Sequence, residues 1–329
     1  MNKKILQVEN LQKSFGSKSA GNKDQSIRAV DNISFYVRQN ETLGLVGESG
    51  CGKTTTGKMI LRLSTPESGK IIYDDIDISR FTEKQMRPYR TRIQMIFQDL
   101  DAALNPNMRI EAIISEAVKL SNPELEKYKV KARCRELLDL VHLPSGKLNQ
   151  FPSELSGGEK RRVGIARTLA LKPEFIVADE PTSALDVSIQ AQVINLMQDL
   201  QREFGLSYLF ISHDLHLVEL VSHRIAVMYL GQIVELGTAA EIVKRPRHPY
   251  TASLWSSLTL ATSHEPGREE EAHLGLDDFI RPREGCRFAP RCPIFHANNK
   301  PEICSSGNSE PELTSIGENH VVACHFPLE

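Results

Sequence analysis

Residues 42–54 constrain the fold more than any other stretch of the chain. TLGLV at 42–46 is a short, continuously apolar run, the pattern of a strand buried on both faces of a parallel sheet. GESGCGKT follows at once, and KTTTGKMILRL continues as a helix candidate. Strand, glycine-rich loop and helix in this order make a phosphate cradle. Gly47, Gly50 and Gly52 let the backbone curl so that successive N–H groups point at an anion. The helix beginning near Lys53 adds its positive dipole end. Lys53 has the reach for β- and γ-phosphates, and Thr54 has the hydroxyl for Mg²⁺. The candidate phosphate-binding set is Gly47, Glu48, Ser49, Gly50, Cys51, Gly52, Lys53, Thr54 and Thr55. A glycine-rich turn that binds nothing is the alternative, and the complete G-x4-G-K-T pattern between strand and helix argues against it.

FIVAD at 175–179 reads as a second buried strand. It ends in Asp179, where an unpaired carboxylate is costly and a Mg²⁺ ion would relieve the cost. Glu180 comes next, placed to polarise an attacking water. Alone, a strand ending in Asp-Glu is a weak signal; with the glycine loop it becomes strong. Strands are also expected at 4–8, 33–37, 208–211 and 226–230, and helices over most of 108–140, broken near Asn122–Pro123. The helix after residue 180 places Ile189, Val193, Leu196, Met197 and Leu200 on one face. Strands alternating with helices predict an α/β fold with a mostly parallel sheet covered on both faces. Residues 16–26 and 262–284 read as loop or linker, and HPYTASLWSS at 248–257 as a short helix.

The chain has 329 residues, enough for one large or two ordinary domains, and a formal net charge of −2, so no global field favours nucleic acid. No window approaches 18 consecutive apolar residues, and the start alternates apolar and polar residues, unlike a signal peptide. Of six cysteines, Cys286, Cys292, Cys304 and Cys324 cluster at the end. In a chain that reads as cytosolic this favours a metal site over a disulfide framework. The spacing C-x5-C-x11-C-x19-C names no metal, because zinc modules and common iron–sulfur runs use tighter pairs. Four free thiols remain the alternative.

LSGGEKRRVGIARTLAL at 155–171 resembles the signature motif of the ATP-binding-cassette (ABC) proteins, usually LSGGQ. Physically, Ser156, Gly157 and Gly158 open a helix and offer donors to an anion, while Ser156 and Glu159 also read as a capping box. Further motifs resemble the family's in order: Gln98 in IFQD, Asp186 in SALD (the D-loop) and His213 in FISHD (the switch histidine). The resemblance implies ATP and Mg²⁺ at a site where Gln98, Glu180 and His213 are catalytic. Thr54, Gln98 and Asp179 would hold the metal. Ser156, Gly157 and Gly158 would close over the nucleotide of a second cassette. Phe15 resembles the aromatic that stacks on adenine, with a core phenylalanine as the alternative.

FQDLDAALNPNM, PEFIVADEPTSALDVSIQAQVINL, HPYT and the Cys-rich end are most similar to ATPase subunits of dipeptide and oligopeptide importers, the second of the two paralogues in particular. That implies a P-loop NTPase cassette: a RecA-like core, an antiparallel β subdomain and an α-helical signature subdomain at about 99–165. The cassette would span 1–245, with a small Cys-rich extension at 246–329. Implied partners are a paralogous ATPase, two transmembrane permeases docked near 99–118, and an extracytoplasmic solute-binding protein, with this chain peripheral on the cytoplasmic face of the membrane. Relatives with this tail carry a four-iron, four-sulfur cluster, which the resemblance carries onto the four cysteines, with zinc second. A nickel or other small-solute importer ATPase shares most motifs, and a non-transport cassette ATPase is a further alternative. The chain departs from the pattern at Glu159 for Gln, at Lys160, and at Leu100 where Pro follows FQD. The effect expected of Glu159 is on rate.

Overall fold

A computed structural model describes residues 3–16, 27–99, 103–262, 285–305 and 310–329. The loops expected at 16–26 and 262–284 fall largely, and Leu100 wholly, outside the described residues. Contacts divide the chain into two units. One comprises Met1–Glu9, Phe35–Thr42 and Thr54–Ser212; the other Asn10–Ser34, Leu43–Lys53 and His213–Glu329.

In the first unit, β6 (Ile93–Ile96), β7 (Phe175–Asp179) and β8 (Ser207–Ile211) lie side by side and parallel, with Asp179 opposite Ile211. Every residue of β7 and β8 is buried, which is why both read as mainly apolar runs, closed by Asp179 in β7 and opened by Ser207 in β8. The same unit holds parts of an antiparallel sheet in the order β2-β1-β4-β5. Its strands are β1 (Lys4–Phe15), β2 (Ile27–Arg38), β4 (Ser68–Tyr73) and β5 (Ile76–Asp77). Three helices follow one another: α3 (Ile110–Ser121), α4 (Lys127–Leu140) and α5 (Gly157–Ala170). The first two buried faces meet the spacing of an amphipathic helix, Ile110, Ile113, Ile114, Ala117 and Val118 on α3 and Val130, Cys134, Leu137 and Leu138 on α4. The helix after residue 180 is α6 (Val187–Phe204), and it buries Val193, Ile194, Leu196, Met197 and Leu200. Ile189 is only half-buried: it packs over Gly158, whose absent Cβ would sit 2.6 Å from the Ile189 Cγ2.

In the second unit, β3 (Thr42–Val46) runs parallel to β9 (Arg224–Tyr229), and β9 pairs antiparallel with β10 (Gln232–Thr238). The chain end then adds strands. β12 (Val321–Val322) pairs antiparallel with β10, and β11 (Thr314–Ser315) with β12. The sheet is therefore parallel where the sequence predicts it and antiparallel toward this edge. From its second residue, HPYTASLWSS forms the start of the helix Pro249–Thr262. Its preceding residues are fixed by Glu235, fully buried on β10, whose carboxylate accepts from the Arg247 and His248 N–H groups at 2.7 and 2.9 Å. The His320 ring meets the same carboxylate at 2.7 Å. Among the described residues no helix is long and apolar enough to cross a membrane.

Candidate functional site

The glycine loop and Lys53 belong to the second unit. Gly47 has φ 149° and its missing Cβ would lie 2.1 Å from the Met228 carbonyl oxygen. Gly52, at φ 110°, would meet the Ala29 carbonyl at the same distance. Neither position tolerates a side chain, so the close approach that phosphate binding needs is built into neighbouring backbone. Ser49 and Gly50 are exposed at the loop crest. Lys53 is buried, and its ammonium donates to the Gly47 and Glu48 carbonyls at 2.6 and 2.9 Å. The lysine is thus folded back onto its own loop, in donor contacts that phosphate oxygens can replace. Cys51 is buried beside it, Sγ 3.7 Å from Nζ, and burial pushes its thiol pKa up, opposite to what a reactive thiolate needs.

The loop is anchored from further along the chain. The Glu48 N–H donates to the Tyr250 hydroxyl at 3.0 Å. The Glu48 carboxylate is held by both terminal nitrogens of Arg291, at 3.0 and 2.8 Å. Phe15, also in this unit, is 50% exposed, with Lys13 Nζ 5.4 Å from its ring centre. It is not a buried core residue in this structure. His213 is exposed, directly before Asp214, which caps the helix Leu215–Val221 by accepting from the His216 and Leu217 N–H groups.

The first unit carries the acids. The Thr54 hydroxyl, in the first turn of α1 (Lys53–Ile60), lies 3.1 Å from Asp179 Oδ1, and Asp179 is 2% exposed at the end of β7. Hydroxyl and buried carboxylate together are hard oxygen donors suited to Mg²⁺. Glu180 follows at φ 45°, a left-handed conformation that side chains rarely adopt, stored here at the end of a rigid strand. Its Oε2 accepts from Gln98 Nε2 at 2.8 Å, so two candidate catalytic residues are already in contact. Thr55 lies half-buried one residue past Thr54.

Ser156 caps α5 and Glu159 closes a capping box with it, the Ser156 N–H donating to the Glu159 carboxylate at 2.9 Å. Ser156 and Gly157 are exposed and Gly158 is buried. Lys147 lies 2.8 Å from Glu159, and this pairing, with the cap, holds the carboxyl below its usual pKa. The substituted signature residue is thus engaged within its own chain. Asp186 caps α6, accepting from the Ile189 N–H and the Ser188 hydroxyl. The same helix α5 that carries the signature also supports the segment around Gln98. Arg161, 3% exposed, donates to the carbonyls of Phe97 and Gln98 at 2.6 and 3.2 Å, and Arg167 donates to Ala103 at 2.6 Å. Sequence reasoning missed Arg161, Arg291 and Tyr250. The HPYT match pointed at Tyr250 without giving it a task; the arginines stand in charged stretches with nothing local to mark them.

Cys286, Cys292, Cys304 and Cys324 line one pocket with Phe288, Ala289, Phe295 and Phe326. Burial pushes the Cys286 thiol pKa up to about 11 and the Cys324 thiol up to about 12, and the neighbouring thiols add to the rise at both. Among the described residues no group of three or more His, Cys, Asp or Glu side chains is drawn together as a single metal ion requires. A tetrahedral zinc, with sulfurs about 2.3 Å from the ion, would need such closeness.

Comparison with known proteins identifies the family. The ABC transporter family model matches residues 30–183, and the model of the oligopeptide/dipeptide transporter C-terminal region matches residues 234–298. The oligopeptide transport ATP-binding protein AppF of Bacillus subtilis is 43% identical over 98% of this chain and 97% of its own. A peptide import ATP-binding protein of Brucella ovis is 41% identical over 97% of both. Among solved structures, a dimeric ATP-binding cassette in a post-hydrolysis state bound to ADP and Pi superposes with TM-score 0.64 at 25% identity, covering 71% of this chain and 99% of that one. The structure of cbiO1 from Clostridium perfringens, part of the ABC transporter complex cbiONQ, gives TM-score 0.65 at 25% identity over 74% of this chain and 92% of that one.

Proposed function

The chain belongs to the ABC transporter family of ATP-binding subunits, with the cassette fold, and on that premise we propose that its ATPase energises import of di- or oligopeptides. Residues 1–245 are read as the cassette and 246–329 as a Cys-rich extension. The nucleotide lies against the loop Gly47–Thr55, with Phe15 facing the base and Lys53 exchanging its loop carbonyls for phosphate oxygens. Thr54, Asp179 and Gln98 would hold Mg²⁺, which would supply positive charge to offset that of the phosphates. Glu180 orients a water and takes up its proton as the oxygen attacks the γ-phosphorus, releasing ADP and phosphate; Gln98 and His213 position the water and the γ-phosphate. Ser156, Gly157 and Gly158 of a second, paralogous cassette close the site, and Asp186 lies at that dimer contact. Two permeases and a solute-binding protein complete the transporter, which keeps this subunit on the cytoplasmic face.

The observation that supports the hydrolytic reading best is the Thr54 hydroxyl 3.1 Å from the buried Asp179, which sets two oxygen donors beside the phosphate loop's first helical turn. Support for the peptide branch comes from full-length relatives described as peptide or oligopeptide transport subunits. The test is ATP turnover in the complex isolated with its co-purifying subunits. Stimulation by a peptide-loaded binding protein is expected; stimulation by a metal-chelate-loaded one instead would move the substrate class to small solutes.

On the family resemblance alone we propose a four-iron, four-sulfur cluster on the four tail cysteines, with zinc second; among the described residues the side chains are not drawn together as a metal ion requires, so they would have to close on it. Their lining of one pocket is the observation that favours a common ligand. Bound there, the cluster would staple the tail by linking segments 286–304 and 324. Iron content and visible absorbance of anaerobically purified protein test this, and a colourless, iron-free, normally folded chain would refute it.

A further inference from the structure

We propose that Arg291, together with Tyr250, is a positioning residue for the phosphate-binding loop, so that nucleotide affinity is set in part by the C-terminal segment. The inference rests on the nucleotide site proposed above. Glu48 is the second residue of that loop and carries its only carboxylate. Its own carbonyl accepts from the Lys53 ammonium at 2.9 Å. A carboxylate free to turn on the same residue would compete with phosphate for that ammonium and repel the β- and γ-phosphates.

Two contacts keep Glu48 from doing so. Arg291 holds both carboxylate oxygens, at 3.0 and 2.8 Å, in the bidentate geometry that a guanidinium matches and an ammonium does not. Tyr250 accepts the Glu48 N–H at 3.0 Å and so fixes the backbone at the loop's entry. The brace itself is rigid. The Arg291 guanidinium lies 5.8 and 5.9 Å from the ring centres of Tyr229 and Phe288, and Tyr250 packs on Tyr229 with ring centres 4.5 Å apart. Phe288 stands 5.5 Å from Tyr250, and it lies between Cys286 and Cys292, one turn from Arg291. Whatever orders the cysteine pocket therefore orders the arginine.

The experiment measures affinity for a fluorescent ATP analogue and thermal midpoint, on the full-length chain, for wild type and for K53A, R291A, R291K, R291E and the double variant E48R/R291E. K53A should lose binding; if it binds as wild type does, the nucleotide site itself is misplaced. With K53A inactive, R291A should bind roughly fivefold more weakly, since a half-exposed pair is worth up to about 1 kcal/mol. R291E should be weaker still, R291K intermediate, and the double variant tighter than R291E. Affinity that stays at the wild-type value in R291A and R291E while the thermal midpoint falls would make Arg291 a structural residue only and overturn the proposal. Y250F supplies a second arm: removing the hydroxyl alone should also weaken binding, and unchanged affinity there would remove Tyr250 from the brace.

Discussion

Replacing Arg161 with Met should cost the protein far more in turnover than in stability. The guanidinium is buried under the segment that carries Gln98 and donates to two backbone carbonyls, with its Nε unpartnered. Two hydrogen bonds from a charged donor are worth about 3–6 kcal/mol together. Against that stands desolvation: burial pulls the guanidinium pKa from 12.5 down to about 10. At about 1.4 kcal/mol per pKa step this is about 3 kcal/mol. The balance is about 0–3 kcal/mol, and Met fills much of the same volume without a charge to desolvate. R161M should therefore melt only a few degrees below wild type. The carbonyl of Gln98 loses its anchor, however, and a loop displaced by about 1 Å can cost up to about 100-fold in rate. Steady-state ATPase of the assembled transporter, with nucleotide affinity and thermal melts in parallel, reads the two effects separately. An unchanged kcat, or a collapse of the melting temperature with kcat intact in the surviving protein, would refute the reasoning.

Other outcomes follow from the same geometry. Glu180→Gln should keep nucleotide affinity and lower turnover by about 10²–10⁴-fold, which single-turnover hydrolysis would detect. Gly52→Ala should abolish nucleotide binding or folding, because its Cβ would meet the Ala29 carbonyl at 2.1 Å; a normally folded, ATP-binding variant would contradict the assigned loop. Burial lowers the His248 pKa from 6.5 to about 4. A pKa lowered on folding stabilises above the unfolded value and is lost as pH falls, so urea midpoints should drop between about pH 6.5 and 4, and less in His248→Gln. Glu159→Gln removes the pairing with Lys147 and should lower stability by at most about 1 kcal/mol, measured by urea unfolding at neutral pH.

The candidate nucleotide-site motifs were legible because the chemistry proposed for them forces a local pattern. A phosphate cradle needs glycines at fixed offsets, and a metal-binding acid needs a buried strand end, so Lys53, Thr54, Asp179 and Glu180 stand out within short windows. What holds those windows in place leaves no such trace. Arg161 meets carbonyls more than 60 residues earlier, and Arg291 meets Glu48 across 243 positions. An arginine in RPREGCRFAPR or EKRRVGIAR looks like any solvated charge until the chain folds. The strands β11 and β12 have two residues each, too few to show a period. Phe15, by contrast, carries no local pattern at all, and its half-exposure became visible only in the fold.

The pairing of β12 with β10 bears on how such chains can be cut and joined. A fragment ending at residue 245 would bare the outer edge of β10, a row of unpaired N–H and C=O groups able to recruit strands from other molecules. It would also strip the buried Glu235 of every donor described for it, since Arg247, His248 and His320 all lie beyond the cut. A carboxylate left without donors in an apolar edge is expected to take up a proton or open the strand to water. Swapping cassettes between transporters at this boundary would therefore transplant an aggregation-prone edge, and the workable junction lies after residue 322 rather than before it.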